Sequence, residues 1–534
     1  MKKIILGFVL ISVTLFSQES KESKTAINRL KTDILFLSDD KLEGRETGTI
    51  GEQLALEYLQ KRFNEIGLKT KTHPFQFNDN VEVDFFSNNE ALYPIRYSEN
   101  GSLDNIDHVD VNFGVHAQEL GYSDYTSLDV RGKIAVINTS SPDGIHPHSK
   151  YLNYHDLKLR AEIAKEKGAI AVIYYTDDKY AETPVRKFKK INSAGIPVLF
   201  FDDSKEKLTT KIRAKINLKE RRVKGKNLIA EVNNGKENTI IIGAHYDHLG
   251  WGAEGSLYRG EPAIHNGADD NASGTAGILE LARFYNKSKY NNYNYLFIAF
   301  SGEEKGLLGS NAFANSDLLN PKKINYMINM DMIGRLNEDG RIAIYGTGTS
   351  PRWDLLLKEN MLENITITTT KSGVGPSDHT SFYLQDIPVL HFFTGAHEDY
   401  HKPSDDADKI NYEGIETVLT YIQNLINDLD DEEKLLFTKT KNDENRKAPK
   451  FSVTLGVIPD YLYSEKGMRI DGVTDGKPAY KSGMQKGDIV VQLGDMKVLD
   501  MMTYMKALGR YVKGDKVKAT IIRDGKAVEL MVQF

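Results

Sequence analysis

The sequence predicts an α/β protein built on a mostly parallel sheet flanked by helices, with two further β-rich units attached. Three observations carry this. Between residues 226 and 427, nearly continuous apolar runs of strand length alternate with helical patterns, the texture of a parallel sheet buried on both faces. From about residue 81 to 225 the runs are shorter and β-rich. Residues 451–534 consist of short strands with glycine-rich turns and one helical stretch, MMTYMKALGRY.

The first eighteen residues stand apart. Lys2 and Lys3 precede an apolar run from Ile4 to Phe16, followed by SQES. Such a run is too short to cross a bilayer and fits a cleaved secretory signal. No later run is long enough for a transmembrane segment, so export to a periplasmic or extracellular location is expected. Next come a polar loop, LSDDKLEGRETG, and an amphipathic helix, GEQLALEYLQKRFNEIGLK, ended by its glycine. In the 81–225 unit, IDHVDVNFGV, GKIAVINTS, GAIAVIYY and IPVLFF read as strands and DLKLRAEIAKEKG as a helix. The main sheet takes TIIIGAH, YLFIAF, INYMINMD, RIAIYG and IPVLHFF, with TAGILELARFYNKS among its helices. The charged stretch at 428–450, DLDDEEKLLFTKTKNDENRKAPK, is expected to be a solvated linker. The expected plan is therefore a signal (1–18), a main domain in two pieces (19–80 and 226–427), a unit between them (81–225), a linker and a last unit (451–534).

Composition removes several function classes. The chain has no cysteine, which excludes a disulfide framework and thiolate chemistry and leaves only His, Asp and Glu to hold a metal. The formal charge is −6, a mild acidity that argues against nucleic acid as a partner.

In a parallel sheet, ligands bind at the carboxyl ends of the strands. The first main-sheet strand closes with GAHYDHLG, giving His245, Asp247 and His248. HNGADDNASG then supplies Asp269 and Asp270, SGEE supplies Glu303 and Glu304, INYMINMD ends in Asp331, and VLHFF leads to His401. Singly, each has a plain explanation, such as capping the next helix, for which Asn271 and Ser273 also stand ready. Together, successive strand ends bring acidic and imidazole groups to one rim. Such a cluster suits paired divalent cations about 4 Å apart, sharing a bridging carboxylate and an activated water.

GAHYDHLG, NGADDNASG, SGEEKGLLGS, NMDMIG and DYHKPSDD, in that order, resemble the two-zinc aminopeptidase family that includes aminopeptidase Y, leucyl aminopeptidases and glutamate carboxypeptidase-like enzymes. The resemblance covers roughly residues 25–430. It implies two Zn2+ ions per chain, with His245 and Asp331 on one, Glu304 and His401 on the other, and Asp269 bridging. It implies Glu303 as general base and Tyr400 as a donor to the developing oxyanion. Asp247 and Asp270 would stand behind the ligands, Asp247 orienting the His245 imidazole. The peptide between the two aspartates, Asp269–Asp270, would be cis. SDHTSF, with Asp378 and His379, resembles a segment near the substrate. The 81–225 unit resembles an inserted protease-associated (PA) domain. The last unit resembles a PDZ domain, with Leu455, Gly456 and Val457 in its carboxylate-binding loop, so a C-terminal peptide is its expected ligand.

One motif points elsewhere. His397-Glu398-Asp399-Tyr400-His401 spells the H-E-x-x-H of helical zinc proteases. It follows a strand directly, and Pro403 disfavours helix at Lys402. His397 is therefore expected to bind no catalytic metal and Glu398 not to be the base. The function expected is a secreted metallo-aminopeptidase acting on peptides with a free N-terminus. The alternatives are a single-zinc glutaminyl cyclase-like enzyme and a carboxypeptidase of the same fold; a non-enzymatic PA/PDZ scaffold conflicts with the intact ligand set.

Overall fold

The computed structural model describes residues 23–534 except 147–148, 179–182, 253–254, 441–452, 460–462, 464–465, 474–475, 500 and 512–513. The expected signal, residues 1–18, lies outside the described residues. The chain forms two compact units: Gln76–Val223, and the residues through Phe75 together with Lys224–Phe534.

The larger unit holds the main sheet. Its elements are α1 (Ile50–Ile66), β1 (Lys211–Val232, of which the last part belongs here), β2 (Thr239–His245), α2 (Gly274–Tyr285), β3 (Asn294–Phe300), β4 (Ile324–Met330), β5 (Arg341–Tyr345), β6 (Thr366–Thr370), β7 (Val389–Phe393) and α3 (Tyr412–Asp428). The strand order is β6-β5-β7-β4-β2-β3-β1. The central four, β7, β4, β2 and β3, are mutually parallel. β5 runs antiparallel to β7, and β1 antiparallel to β3. The chain returns to the same rim four times, which is what a shared site at the carboxyl ends requires.

The apolar runs fill both faces. Ile240, Ile242, Ala244, Phe297 and Ala299 point into one core cluster with the helices, while Ile241, Ile298 and Phe300 alternate into a second. Each buried isoleucine or phenylalanine among them contributes about 1.5–3 kcal/mol. α1 begins where the Thr49 hydroxyl accepts from Glu52 N–H and ends at Gly67, whose φ of 96° is left-handed. It buries Leu56, Leu59, Phe63 and Ile66. α2 is capped by Asn271, whose Oδ1 accepts from Gly274 N–H at 2.9 Å.

Two expectations are corrected. The polar loop before α1 contains a 3-10 helix, Asp40–Arg45, and Arg45 is wholly buried at 1% exposure. Its guanidinium donates to the carbonyls of Tyr246 (2.8 Å), Asn266 (2.6 Å), Gly267 (3.0 Å) and Leu37. A cation with five donors in a planar fork suits the several carbonyls that converge behind the strand-end loops. The 428–450 stretch, expected to be solvated throughout, is fastened over part of its length. Leu435 is buried and its N–H donates to Asn325 Oδ1 at 2.8 Å. Thr438 N–H donates to Thr349 O at 2.8 Å and Thr440 N–H to Tyr383 Oη at 3.1 Å. Leu435 and Phe437 alternate inward, and they anchor this stretch despite its charged surroundings. The rest of it, 441–450, lies outside the described residues.

The 76–223 unit has its own sheet. Gly101–Asp110, Ile134–Asn138, Ala171–Tyr175 and Val198–Phe201 pair in parallel, with Leu92–Pro94 antiparallel at one edge. Its helix, Leu157–Glu166, is capped by Asp156. The C-terminal segment orders its strands Val457–Pro459, Met468–Val473, Ile489–Leu493, Lys516–Arg523 and Lys526–Gln533 along one sheet. Before the first of these, Leu455 is buried, and its carbonyl accepts from Ala479 N–H at 2.8 Å. Gly456 has φ 73°, and a Cβ there would meet the Lys477 side chain at 2.2 Å. A glycine is required at that turn. No described helix is long and apolar enough to cross a membrane.

Candidate metal and catalytic site

The rim gathers its groups from the ends of β2, β3, β4 and β7 and from the loop entering α2. His245 closes β2, and its Nε2 faces Asp331 Oδ1 at 3.3 Å and Asp270 Oδ1 at 3.4 Å. Across the site, His401 Nε2 faces Asp270 Oδ2 at 3.2 Å and Glu304 Oε2 at 3.3 Å. Each oxygen of the Asp270 carboxylate thus meets a different imidazole. Donor atoms of His245, Asp270 and Asp331 lie within 4.8 Å of one another, as do those of His248, Asp270 and Glu304. Nitrogen and carboxylate donors at this spacing fit zinc.

This geometry corrects the expected roles of the aspartate pair. The residue between the two sides is Asp270, not Asp269, and the cis peptide is Asp270–Asn271, not Asp269–Asp270. Asp269 turns away: its Oδ1 accepts from Gly334 N–H at 2.6 Å and its Oδ2 meets His397 Nε2 at 3.2 Å. The first histidine of the H-E-x-x-H pattern is therefore the partner of the aspartate that does not face the cluster. The amides of Asp269 and Asp270 both donate to Asp405 Oδ2 at 3.0 Å, which fixes the turn carrying them. The segment 398–401 is a turn rather than a helix, and Glu398 is exposed.

Asp247 stands behind the cluster as expected, but its contact with His245 is made mainly by its backbone. His245 Nδ1 lies 3.2 Å from Asp247 O and 3.8 Å from its carboxylate. The carboxylate accepts instead from Thr47 Oγ1 (2.9 Å) and Glu303 N–H (3.2 Å). Glu303 is thereby held with its own carboxylate 4.0 Å from His245 Nε2. Asp331 Oδ2 accepts from Ser377 Oγ at 2.7 Å. His401 is anchored through Nδ1, 2.9 Å from Gly255 O, and its ring stacks on Tyr400 at 3.9 Å.

A cavity of about 220 Å³ opens on this rim. Asp270, Glu303, Glu304, Asp331 and His401 line one side; Leu257, Met332, Tyr345, Phe393 and Tyr400 give it apolar walls. Val457 and Pro459, from the first strand of the C-terminal segment, also line it. No lysine or arginine is among the described residues that line it. Asp378 and His379, expected near the substrate, are wholly buried and do not line the cavity. The residue that does is His391, on which His379 stacks at 4.6 Å.

The charges lean on one another. Burial pushes the Glu303 carboxyl well above the usual range, and His245 only partly opposes it. Burial also acts on Glu304, but His401 and His248 outweigh it and hold that carboxyl well below. Burial disfavours the His401 cation, yet Glu304 and Asp270 raise it to about 11. Burial lifts Asp378 to about 7 and lowers His391 to about 4. Carboxylates this dense in a low-dielectric site call for cations.

Sequence reasoning left His248, His391 and Arg45 without roles. His248 was visible as a histidine at a strand end, but nothing in its spacing separated it from a loop residue. Arg45 carried no signal, because a charged residue in a polar stretch reads as solvated.

Comparison with known proteins identifies three domains. A model of peptidase family M28 matches residues 227–426, a PA domain model 105–207 and a PDZ domain model 435–534. The chain carries an M28 peptidase domain together with PA and PDZ domains, which makes it a metallopeptidase. Aminopeptidase YwaD of Bacillus subtilis is 27% identical over 395 residues, covering 70% of this chain and 78% of that protein. A probable leucine aminopeptidase of Arthroderma otae is 32% identical over 172 residues, 30% of this chain and 45% of the relative. The solved structure of BSAP, a zinc aminopeptidase from Bacillus subtilis, is 23% identical with a TM-score of 0.45, covering 77% of this chain and 98% of that one.

Proposed function

We propose that this chain is an exported aminopeptidase that uses a pair of zinc ions to remove N-terminal residues from peptides. The observation that carries the reading is the Asp270 carboxylate, with one oxygen 3.4 Å from His245 and the other 3.2 Å from His401. In this reading His245, Asp331 and Asp270 hold one ion, and Asp270, Glu304 and His401 the other. Zinc, when bound there, would polarise the scissile carbonyl as a Lewis acid and make an attacking water more acidic. Glu303 would act as the general base, taking a proton from the attacking water and handing it to the leaving amine. Its burial raises its affinity for a proton, as a group that both takes and gives one needs. Tyr400, on the cavity wall beside His401, donates to the oxyanion.

An acidic rim with no lysine or arginine among its described lining residues favours a substrate's free amine over a carboxylate. That supports an aminopeptidase over a carboxypeptidase. The apolar walls suit an apolar N-terminal side chain. Export rests on the N-terminal leader pattern, and the loop Leu455-Gly456-Val457 is assigned to binding a C-terminal peptide.

The test is hydrolysis of aminoacyl anilides by Glu303→Gln, with zinc content measured in parallel. The variant should keep two zincs and lose about 10²–10⁴-fold in kcat, the share of a general base. Unchanged turnover would remove Glu303 from the role. A wild-type content of one zinc would favour a single-metal enzyme, for which conversion of an N-terminal glutamine peptide is the direct assay.

A further inference from the structure

His248 is a buried imidazole whose side-chain hydrogen bond among the described residues is to Glu304, and it takes no part in the proposed reaction. Its Nδ1 lies 2.7 Å from Glu304 Oε1; the next carboxylate, Asp270 Oδ1, is at 3.9 Å. Its Nε2 is buried without a hydrogen-bond partner among the described residues. The residue is 1% exposed, so neither solvent nor a surface contact accounts for a polar ring at this place.

Its surroundings are built to hold it. The His248 N–H donates to Arg45 O at 3.2 Å, and Glu46 forms an isolated bridge with it. Gly267, at φ 55°, makes room for the ring: a Cβ there would stand 2.5 Å from His248 Cδ2.

The consequence falls on Glu304. One carboxylate oxygen, Oε1, is engaged by His248, and the other, Oε2, faces His401 Nε2 at 3.3 Å. The two oxygens therefore have separate tasks. With Oε1 tied back, Oε2 points to the side where His401 and Asp270 Oδ2 converge. Ligating carboxylates are commonly held in this way by a neighbouring donor.

We propose that His248 is a positioning residue for the second metal: it donates from Nδ1 to Glu304 Oε1 and so presents Oε2 toward the ion shared with Asp270 and His401. The proposal rests on the two-zinc reading above. It distinguishes the two ions, because the polar side-chain contacts of His248 among the described residues are with Glu304 and Asp270 and not with His245 or Asp331.

The test is zinc affinity, measured on the full chain by competition with a chromogenic chelator, for wild type, His248→Leu and His248→Asn. Leucine keeps the volume without the donor, and the Asn amide nitrogen stands near the place of Nδ1. In His248→Leu one of the two zincs should lose about 10–100-fold in affinity, the other should be unchanged, and saturation should still reach two. His248→Asn should recover most of the loss. Cobalt(II) loaded into the site whose affinity changes should show an altered visible spectrum in His248→Leu and a near wild-type one in His248→Asn. If His248→Leu does not fold, His248→Ala takes its place in the same comparison. Unchanged affinities, equal weakening of both zincs, or failure of the Asn variant to recover would overturn the proposal. Saturation at one zinc in the variants would also overturn it and make His248 a ligand. A wild type that itself binds one zinc would instead sink the two-metal reading, and that result needs no variant.

Discussion

Asp269 and Asp270 are consecutive, carry the same charge and are both buried, yet they face different groups. Gly334 N–H and His397 take up the Asp269 carboxylate, while Asp270 turns toward His245 and His401. Sequence spacing identified the pair but could not choose between them, because the choice depends on the backbone turn and not on residue type. The same limit applies to His248 and His391, whose contacts come from chain segments far away in sequence. By contrast, the convergence of His245, Glu304, Asp331 and His401 on one rim was legible, since each ends a buried strand or lies in the loop after one. Substitution separates the two aspartates. Asp270→Asn should lower kcat/KM for an aminoacyl anilide by ~10³-fold or more, several kcal/mol of transition-state stabilisation, and reduce zinc content. Asp269→Asn should cost ~10–100-fold with both zincs retained, as for a group behind the ligands. Equal losses, or a larger loss at Asp269, would return the bridging role to Asp269.

At the scale of elements, the strands and main helices follow from periodicity, whereas the short 3-10 helix before α1 does not. Its sequence, DKLEGR, has too few apolar residues to announce burial. Its importance lies in Arg45, whose guanidinium ties together the loop after β2 and the loop carrying the aspartate pair through Tyr246, Asn266 and Gly267. Leu435 and Phe437 were missed for the related reason that two apolar residues in a charged run are weak evidence. Removing the guanidinium leaves several buried carbonyls without donors, each costing about 1–3 kcal/mol. Arg45→Ala should therefore destabilise the larger unit by ~3–5 kcal/mol, near the upper end for single substitutions, read as a shift of the urea midpoint. Arg45→Lys keeps the charge but not the fork and should fall between the two. A midpoint within experimental scatter of wild type for Arg45→Ala would mean that the strand-end loops hold themselves in place.

At the scale of the whole chain, sharp changes of composition mark three differently patterned stretches, whereas the contacts divide the chain into two compact units, with the last stretch in the same unit as the main sheet. Which faces they present to one another was not legible, since nothing in a run of alternating residues names its partner surface. In the larger unit this matters for the cavity. Val457 and Pro459, from the first strand of the PDZ segment, line it together with Met332, Tyr345 and Phe393. That strand begins at the loop assigned to carboxylate capture, so one short segment serves the PDZ fold and walls the catalytic cavity. A charge on this wall would meet the apolar side chain of a bound substrate without touching the metal ligands. Val457→Asp should raise KM for substrates with a large apolar N-terminal residue by about 10-fold, the low end of what a changed apolar contact contributes. kcat should stay within about threefold, the mark of lost binding shared by ground and transition states. Val457→Ile, which keeps the wall apolar, should leave both constants near wild type. An unchanged KM in Val457→Asp, with the variant shown to be folded by its melting curve, would mean that substrates do not reach this wall and that the PDZ segment takes no part in binding them.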